Sequence, residues 1–267
     1  MIQIYNLVLF QPLLNLMVYL YNLVGDFGVA IIIVTVLVRL VLVPLSVKSI
    51  KSQKAMQQMQ PKMDEIKNEH KDNKEEQTKA LMAFYKENKI NPLSSCLPML
   101  IQLPIIFALY RVFREGLSEH SFEYLYSFVK RPDVIDSYFV GFINMSESNV
   151  ALAVLAGGLQ FVQAKMLMPK MKKNKKGKGM MGDISGMMSK QMTYFMPVMT
   201  VFIAMSLPSG LALYWVATTI FTIGQQYLII KSPDDDNKDK KNGKKDKPPK
   251  PEKIKGELVS ENKVEQK

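Results

Sequence analysis

The chain has 267 residues, 48% of them hydrophobic, and a formal net charge of +11. Its 31 lysines gather in blocks, ten in 48–91, seven in 169–190 and twelve in 231–267, with long apolar runs between them. This segregation excludes an ordinary soluble domain, whose helices carry charge along one face, and the single cysteine, Cys96, excludes an intramolecular disulfide.

Residues 1–25 are apolar but interrupted by Gln11, Pro12 and Asn15, with Tyr5, Tyr19 and Tyr21 suited to a headgroup boundary. An external interfacial helix is expected here. The alternative, a span, leaves only Gly25 and Asp26 to turn the chain, which is short for that purpose. The start lacks the basic region and small-residue cleavage site of a secretory signal, so no removal is expected.

Five apolar runs then meet the roughly 20 residues that a hydrocarbon core about 30 Å thick requires. They give expected spans at 26–47, 92–112, 149–168, 191–208 and 209–230, the fourth being short. Pro208, Ser209 and Gly210 supply turn formers between the last two. Lysine and arginine in short loops resist translocation. Residues 1–26 carry neither, and 113–149 carry three against six acids, so the N-terminus and the 113–148 loop are expected outside. The lysine blocks 48–91, 169–190 and 231–267 are expected in the cytoplasm. The fold class expected is therefore an all-α polytopic membrane protein.

Between the first two spans, 48–91 reads as a cytoplasmic helical hairpin. Met56, Met59, Met63 and Ile66 recur near helical spacing, as do Leu81, Phe84 and Tyr85, around a break at Asp72 and Asn73, and Pro61 is expected to bend or restart the first helix. Mutual burial of the two apolar faces is the plain reading. The other is a contact surface for varied apolar partners, using Met56, Met59, Met63 and Phe84. The tail 231–267 holds too little apolar material to fold alone; it either fixes topology by its charge or meets anionic lipid or RNA phosphates.

Arg39 is the most informative residue, because a guanidinium inside a span costs about 2.5–3.5 kcal/mol on insertion scales. Counted from Val47, it lies about 12 Å deep. Apart from Asp26 at the outer boundary of the first, no Asp or Glu lies in the five expected spans to neutralise it, so it requires water or an incoming anion. Gln102, Gln160, Gln163, Thr35, Thr200 and Thr218 fall at comparable depth, with Thr219 nearby. They line a wet cavity around Arg39 or serve as interhelical hydrogen-bond glue worth about 0.6 kcal/mol each. Trp215 suits an aromatic belt or, secondarily, the cavity. His70 and His120 lie in different loops, no metal-ligand spacing or phosphate loop occurs, and GKGMMG at 177–182 sits in a lysine-rich linker. No enzyme, metal or cofactor is expected.

NPLSSCLPMLIQLPIIFALYRVF at 91–113 resembles the second transmembrane segment of the YidC/Oxa family of membrane protein insertases. The stretch GVAIIIVTVLVRLVLVPLSVKSIKSQKAMQQMQPKMDEI resembles that family's first conserved span and following hairpin, and FMPVMTVFIAMSLPSGLALYWVATTIFTIGQQYL its last two spans; QFVQAKM fits the third more loosely. The resemblance covers about residues 25–230. It implies five helices around a hydrophilic groove open to the cytoplasm and to lipid, with Arg39 in the groove, Gln163 or Gln160 as the groove glutamine, and Trp215 as the tryptophan of its LYW motif. It further implies action on nascent membrane proteins in a bacterial inner membrane, with the ribosome, through the basic tail, and the Sec translocon as candidate partners. The large periplasmic domain and the lipoprotein signal of other members have no counterpart in this sequence. The rival function, an anion-selective channel or small-solute transporter, would also use a buried cation.

Overall fold

The computed structural model describes residues 2–88, 91, 93–115, 119–132, 135–167 and 191–231. Apart from Lys231, the tail 231–267 lies outside the described residues, as does the loop 169–190. Residues Met1–Ile230 form one unit.

Helix α1 (Gln3–Val24) contains a widened π turn at Asn6–Phe10. Pro12 lies just beyond it and has no N–H to give the Val8 carbonyl, which accounts for the local widening. Gly25 ends the helix in the left-handed conformation, φ 74°, its N–H donating to the Tyr21 carbonyl at 2.8 Å. Asp26 then caps α2 (Phe27–Val41), its Oδ1 accepting from the Val29 N–H at 2.8 Å. A left-handed glycine followed by a capping aspartate is thus a sufficient turn, although two residues look short by length alone.

The expected span 26–47 contains a break in its helix. Helix α2 stops at Val41, and α3 (Val43–Glu69) leaves at 69° after a break at Leu42. Pro44 is the cause: inside a continuous helix it would orphan the Leu40 carbonyl and drive its ring into it, whereas in the first turn of a new helix neither penalty applies. Pro61, by contrast, neither ends nor restarts α3. It is exposed, where the carbonyl freed by its missing N–H can be hydrated.

Helix α4 (Lys74–Glu87) folds back on α3. Asn73 caps it, accepting from the N–H groups of Glu75 and Glu76, and the Gln77 amide donates to the Lys67 carbonyl at 2.8 Å. Met63 is buried, 4% exposed, while Met56, Met59 and Phe84 are half-buried and Met82 is exposed. Helix α5 (Leu93–Glu115) follows, then a 3-10 turn (Glu119–Tyr124) and a hairpin of β1 (Tyr138–Phe139) and β2 (Ile143–Asn144), with Phe139 opposite Ile143. Helices α6 (Val150–Met166), α7 (Thr193–Met205) and α8 (Ser209–Lys231) complete the order.

The two ends of the bundle differ in how they are held. One end gathers the α1–α2 turn, the hairpin and the start of α8. There the Asp26 carboxylate accepts from the Val140 N–H at 2.6 Å, the Phe139 ring covers Gly28, and the Ser209 and Gly210 N–H groups donate to the carbonyls of Glu147 (2.7 Å) and Met145 (2.9 Å). T-shaped ring pairs fill this half, Phe27 with Phe113 at 6.0 Å and Phe10 with Tyr124 at 5.7 Å. Helix α1 is tied along its length to the same end: Asn6 to Arg111, Asn15 to the backbone of Tyr124 and Tyr126, Tyr21 to Asp136 and Asn22 to Lys130. At the opposite end α3 packs along α5, and polar contacts join other elements. Ser46 on α3 meets Gln225 on α8, and the Gln57 amide donates to the Leu167 carbonyl at the end of α6.

Among the described residues, α1 alone is long and apolar enough to cross a membrane by itself; α2 with α3 qualifies as a bent pair, and α6 and α7 are shorter apolar helices. Exposed apolar side chains ring the bundle, among them Leu40, Phe107, Val154, Phe202, Ile220 and Leu228. A water-facing monomer rarely presents so much apolar surface.

Candidate functional site: a polar cleft around Arg39

The break at Leu42 changes the setting of Arg39. The residue stands in the last turn of α2, where the backbone dipole presents its negative end. That location favours a cation by about 0.3–1 kcal/mol. Two neighbouring helices supply the rest. The Arg39 Nη2 donates to the Gln102 Oε1 on α5 at 2.8 Å, and its Nε to the Thr218 Oγ1 on α8 at a longer 3.4 Å. The Gln102 amide nitrogen in turn donates to the hydroxyl of Tyr214, one turn above Thr218 on α8 and only 2% exposed. A neutral chain, Arg39 to Gln102 to Tyr214, therefore positions the guanidinium, with no carboxylate in it.

Beside it lies a small open cleft bounded by Arg39, Leu42, Leu45, Ser46, Ser49, Leu97, Ile101 and Gln102. Arg39, Ser46, Ser49 and Gln102 supply its polar groups, and Leu42, Leu45, Leu97 and Ile101 its apolar ones. Such a cleft keeps a cation hydrated or offers it to an anionic group while an apolar segment lies against leucine and isoleucine. Among the described residues no group of His, Cys, Asp and Glu has the arrangement of a metal site.

The expected site residues divide. Arg39, Gln102 and Thr218 come together. Thr35 is buried one turn before Arg39 and bonds its own helix, donating to the Ile31 carbonyl at 2.7 Å. Thr200 is buried on α7, and Gln160 and Gln163 are half-buried on α6; none of the three bonds Arg39. Trp215 packs half-buried against the core. Tyr214, Ser46 and Gln225 were not singled out from the sequence. For Tyr214 and Gln225 the signal was the spacing on α8, where Tyr214, Thr218 and Gln225 fall close to one helical face.

The family model described as 60Kd inner membrane protein matches residues 19–237. The chain belongs to that family. Relatives named membrane protein insertase YidC include one from Pelobacter propionicus, 37% identical over 226 residues, which span 84% of this chain and 39% of that protein. Another, from Fusobacterium nucleatum, is 36% identical over 208 residues, covering 78% of this chain and 88% of the relative. A solved structure described as an active YidC insertase with its first transmembrane domain resolved superposes with a TM-score of 0.54 at 26% identity, over 85% of this chain and 47% of that one. The chain is thus shorter than the Pelobacter protein and close in length to the Fusobacterium one.

Proposed function

We propose that this chain is a membrane protein insertase of the bacterial inner membrane, and that the cleft around Arg39 receives hydrophilic parts of its clients. The observation that carries the reading is the Arg39 guanidinium, held among the described residues by neutral groups, in a cleft within a bundle whose outer surface is apolar. A client enters with a short polar or acidic outer segment, whose desolvation cost falls in a wet cleft. Arg39 attracts that segment transiently, while the apolar span moves along α6 and α8 into lipid, gaining about 0.3–0.6 kcal/mol for each central Leu, Ile or Phe. No covalent step is needed. The insertase names of the relatives favour this reading over an anion channel.

In the bilayer, α2, α5, α6, α7 and α8 are the five spans, with the N-terminus outside and the tail inside. Helix α1 lies along the outer face. Its ties from Asn6 to Asn22 all run to residues 111–136 at one end of the bundle, which supports a lying position over a spanning one. The hairpin of α3 and α4 receives clients, with Met82 the exposed apolar residue on it and Met63 turned inward. The lysine tail meets ribosomal RNA or anionic lipid, and a Sec translocon is a candidate neighbour.

The test is reconstitution into liposomes with a single-span client bearing an acidic outer tail. Wild type inserts it, Arg39→Lys retains most activity, and Arg39→Ala loses about 10- to 100-fold, the equivalent of a charged hydrogen bond worth about 1.5–3 kcal/mol. Insertion no better than protein-free liposomes overturns the reading.

A further inference from the structure

The polar contacts of α8 do not end at Thr218. Two turns further toward Lys231, half-buried Gln225 and buried Gln226 are glutamines whose hydrogen bonding is incomplete. The Ser46 hydroxyl lies 3.0 Å from the Val43 carbonyl and 3.2 Å from the Gln225 side-chain oxygen. A hydroxyl has one hydrogen, so it donates to only one of them. If it serves Val43, the Gln225 amide turns over and donates to Ser46. In either orientation one Gln225 amide atom stays sealed from solvent without a partner, as the Nε2 is here. Gln226 is 1% exposed, and its Oε1 has no partner either.

Buried polar groups are nearly always paired, and each exception calls for a reason. A purely structural seam would be better served by leucine or methionine at both positions, since an orphaned amide destabilises where an apolar side chain of similar size does not. The seam also adjoins the cleft, because Ser46 and Ser49 line it. We propose that Gln225 and Gln226 are client-binding residues that become accessible when α3 and α8 part at Ser46, and that they hydrogen-bond backbone N–H and C=O groups of the incoming chain. The inference rests on the insertase reading. Backbone groups are common to all clients, so this recognition is indifferent to client sequence, as in other main-chain recognition modes. The unpartnered atoms lower the cost of parting the seam, because opening lets them be satisfied.

The experiment uses the full chain in liposomes, with Gln225→Met, Gln226→Met and the double variant, and reads both Tm in detergent and insertion of the acidic-tailed client. In parallel, a stalled client carrying a photoreactive diazirine residue in its span is crosslinked and the adduct mapped by peptide sequencing. The expected result is an unchanged or higher Tm for the methionine variants, insertion reduced about five- to tenfold, and adducts on the peptide holding Gln225 and Gln226. A lowered Tm assigns the glutamines a structural role and overturns the inference, as does wild-type insertion by the double variant or absence of adducts there. The two readings fail separately: wild type inserting in an Arg39-dependent manner beside a fully active double variant removes only the role of the glutamines.

Discussion

A guanidinium inside an apolar bundle needs partners, and here Gln102 and Thr218 provide them, with Tyr214 holding Gln102 in turn. Tyr214→Phe keeps the ring in its buried place and removes only the hydroxyl. It should leave Tm within a few degrees of wild type yet lower insertion about three- to tenfold, in proportion to one hydrogen bond of about 0.5–1.5 kcal/mol. The liposome assay checks this, and Tyr214→Phe combined with Gln102→Leu should be no worse than Gln102→Leu alone. Arg39, Gln102 and Thr218 were legible in the sequence because each is a polar residue interrupting an apolar run. Tyr214 was not, since a tyrosine in such a run reads as a core or interface residue until its hydroxyl is seen to have a partner. Gln160 and Gln163 met the same rule as Gln102. How α6 is rotated about its axis depends on α7, which their own sequence does not encode.

Among the elements, α6 and α7 pack through small residues. Ala153, Ala156 and Gly157 are buried, and a methyl on Gly157 would meet the Pro197 carbonyl oxygen at 2.8 Å as well as Val201. Adjacent Gly158 has open space. Gly157→Ala should therefore destabilise by about 1–3 kcal/mol through overpacking, while Gly158→Ala should stabilise by up to about 1 kcal/mol through helix propensity. Chemical denaturation of the two variants in the same detergent checks the opposite signs. The hairpin offers a second contrast. Val140 at φ 50° and Gly141 at φ 73°, closed by the Phe142 N–H on the Phe139 carbonyl, form a type I′ turn. A β-branched residue is strained in that left-handed region by about 1–2 kcal/mol, so Val140→Asn should raise stability by about 1 kcal/mol in the same measurement. Helix limits were largely visible from the sequence: α6 and α8 begin and end within a few residues of the expected runs. The exception is the kink at Leu42. Hydropathy continues to Val47 without a change, so an apolar-length rule runs past Pro44, whose geometric effect outweighs composition.

For the whole molecule, the half that holds the α1–α2 turn and the β-hairpin is fixed by aromatic pairs, a capped aspartate and backbone bonds between distant segments. In the other half, among the described residues, α3 packs along α5 and meets α8 at the Ser46–Gln225 contact. Local stability follows such differences, and amide exchange reports it. Along α8 the backbone amides should consequently exchange in a graded order, fastest around Gln225 and slowest near Tyr214, over the span of one helix. A flat profile would mean that the two halves open together. A graded one would mean that one half of the bundle admits solvent while the other stays closed.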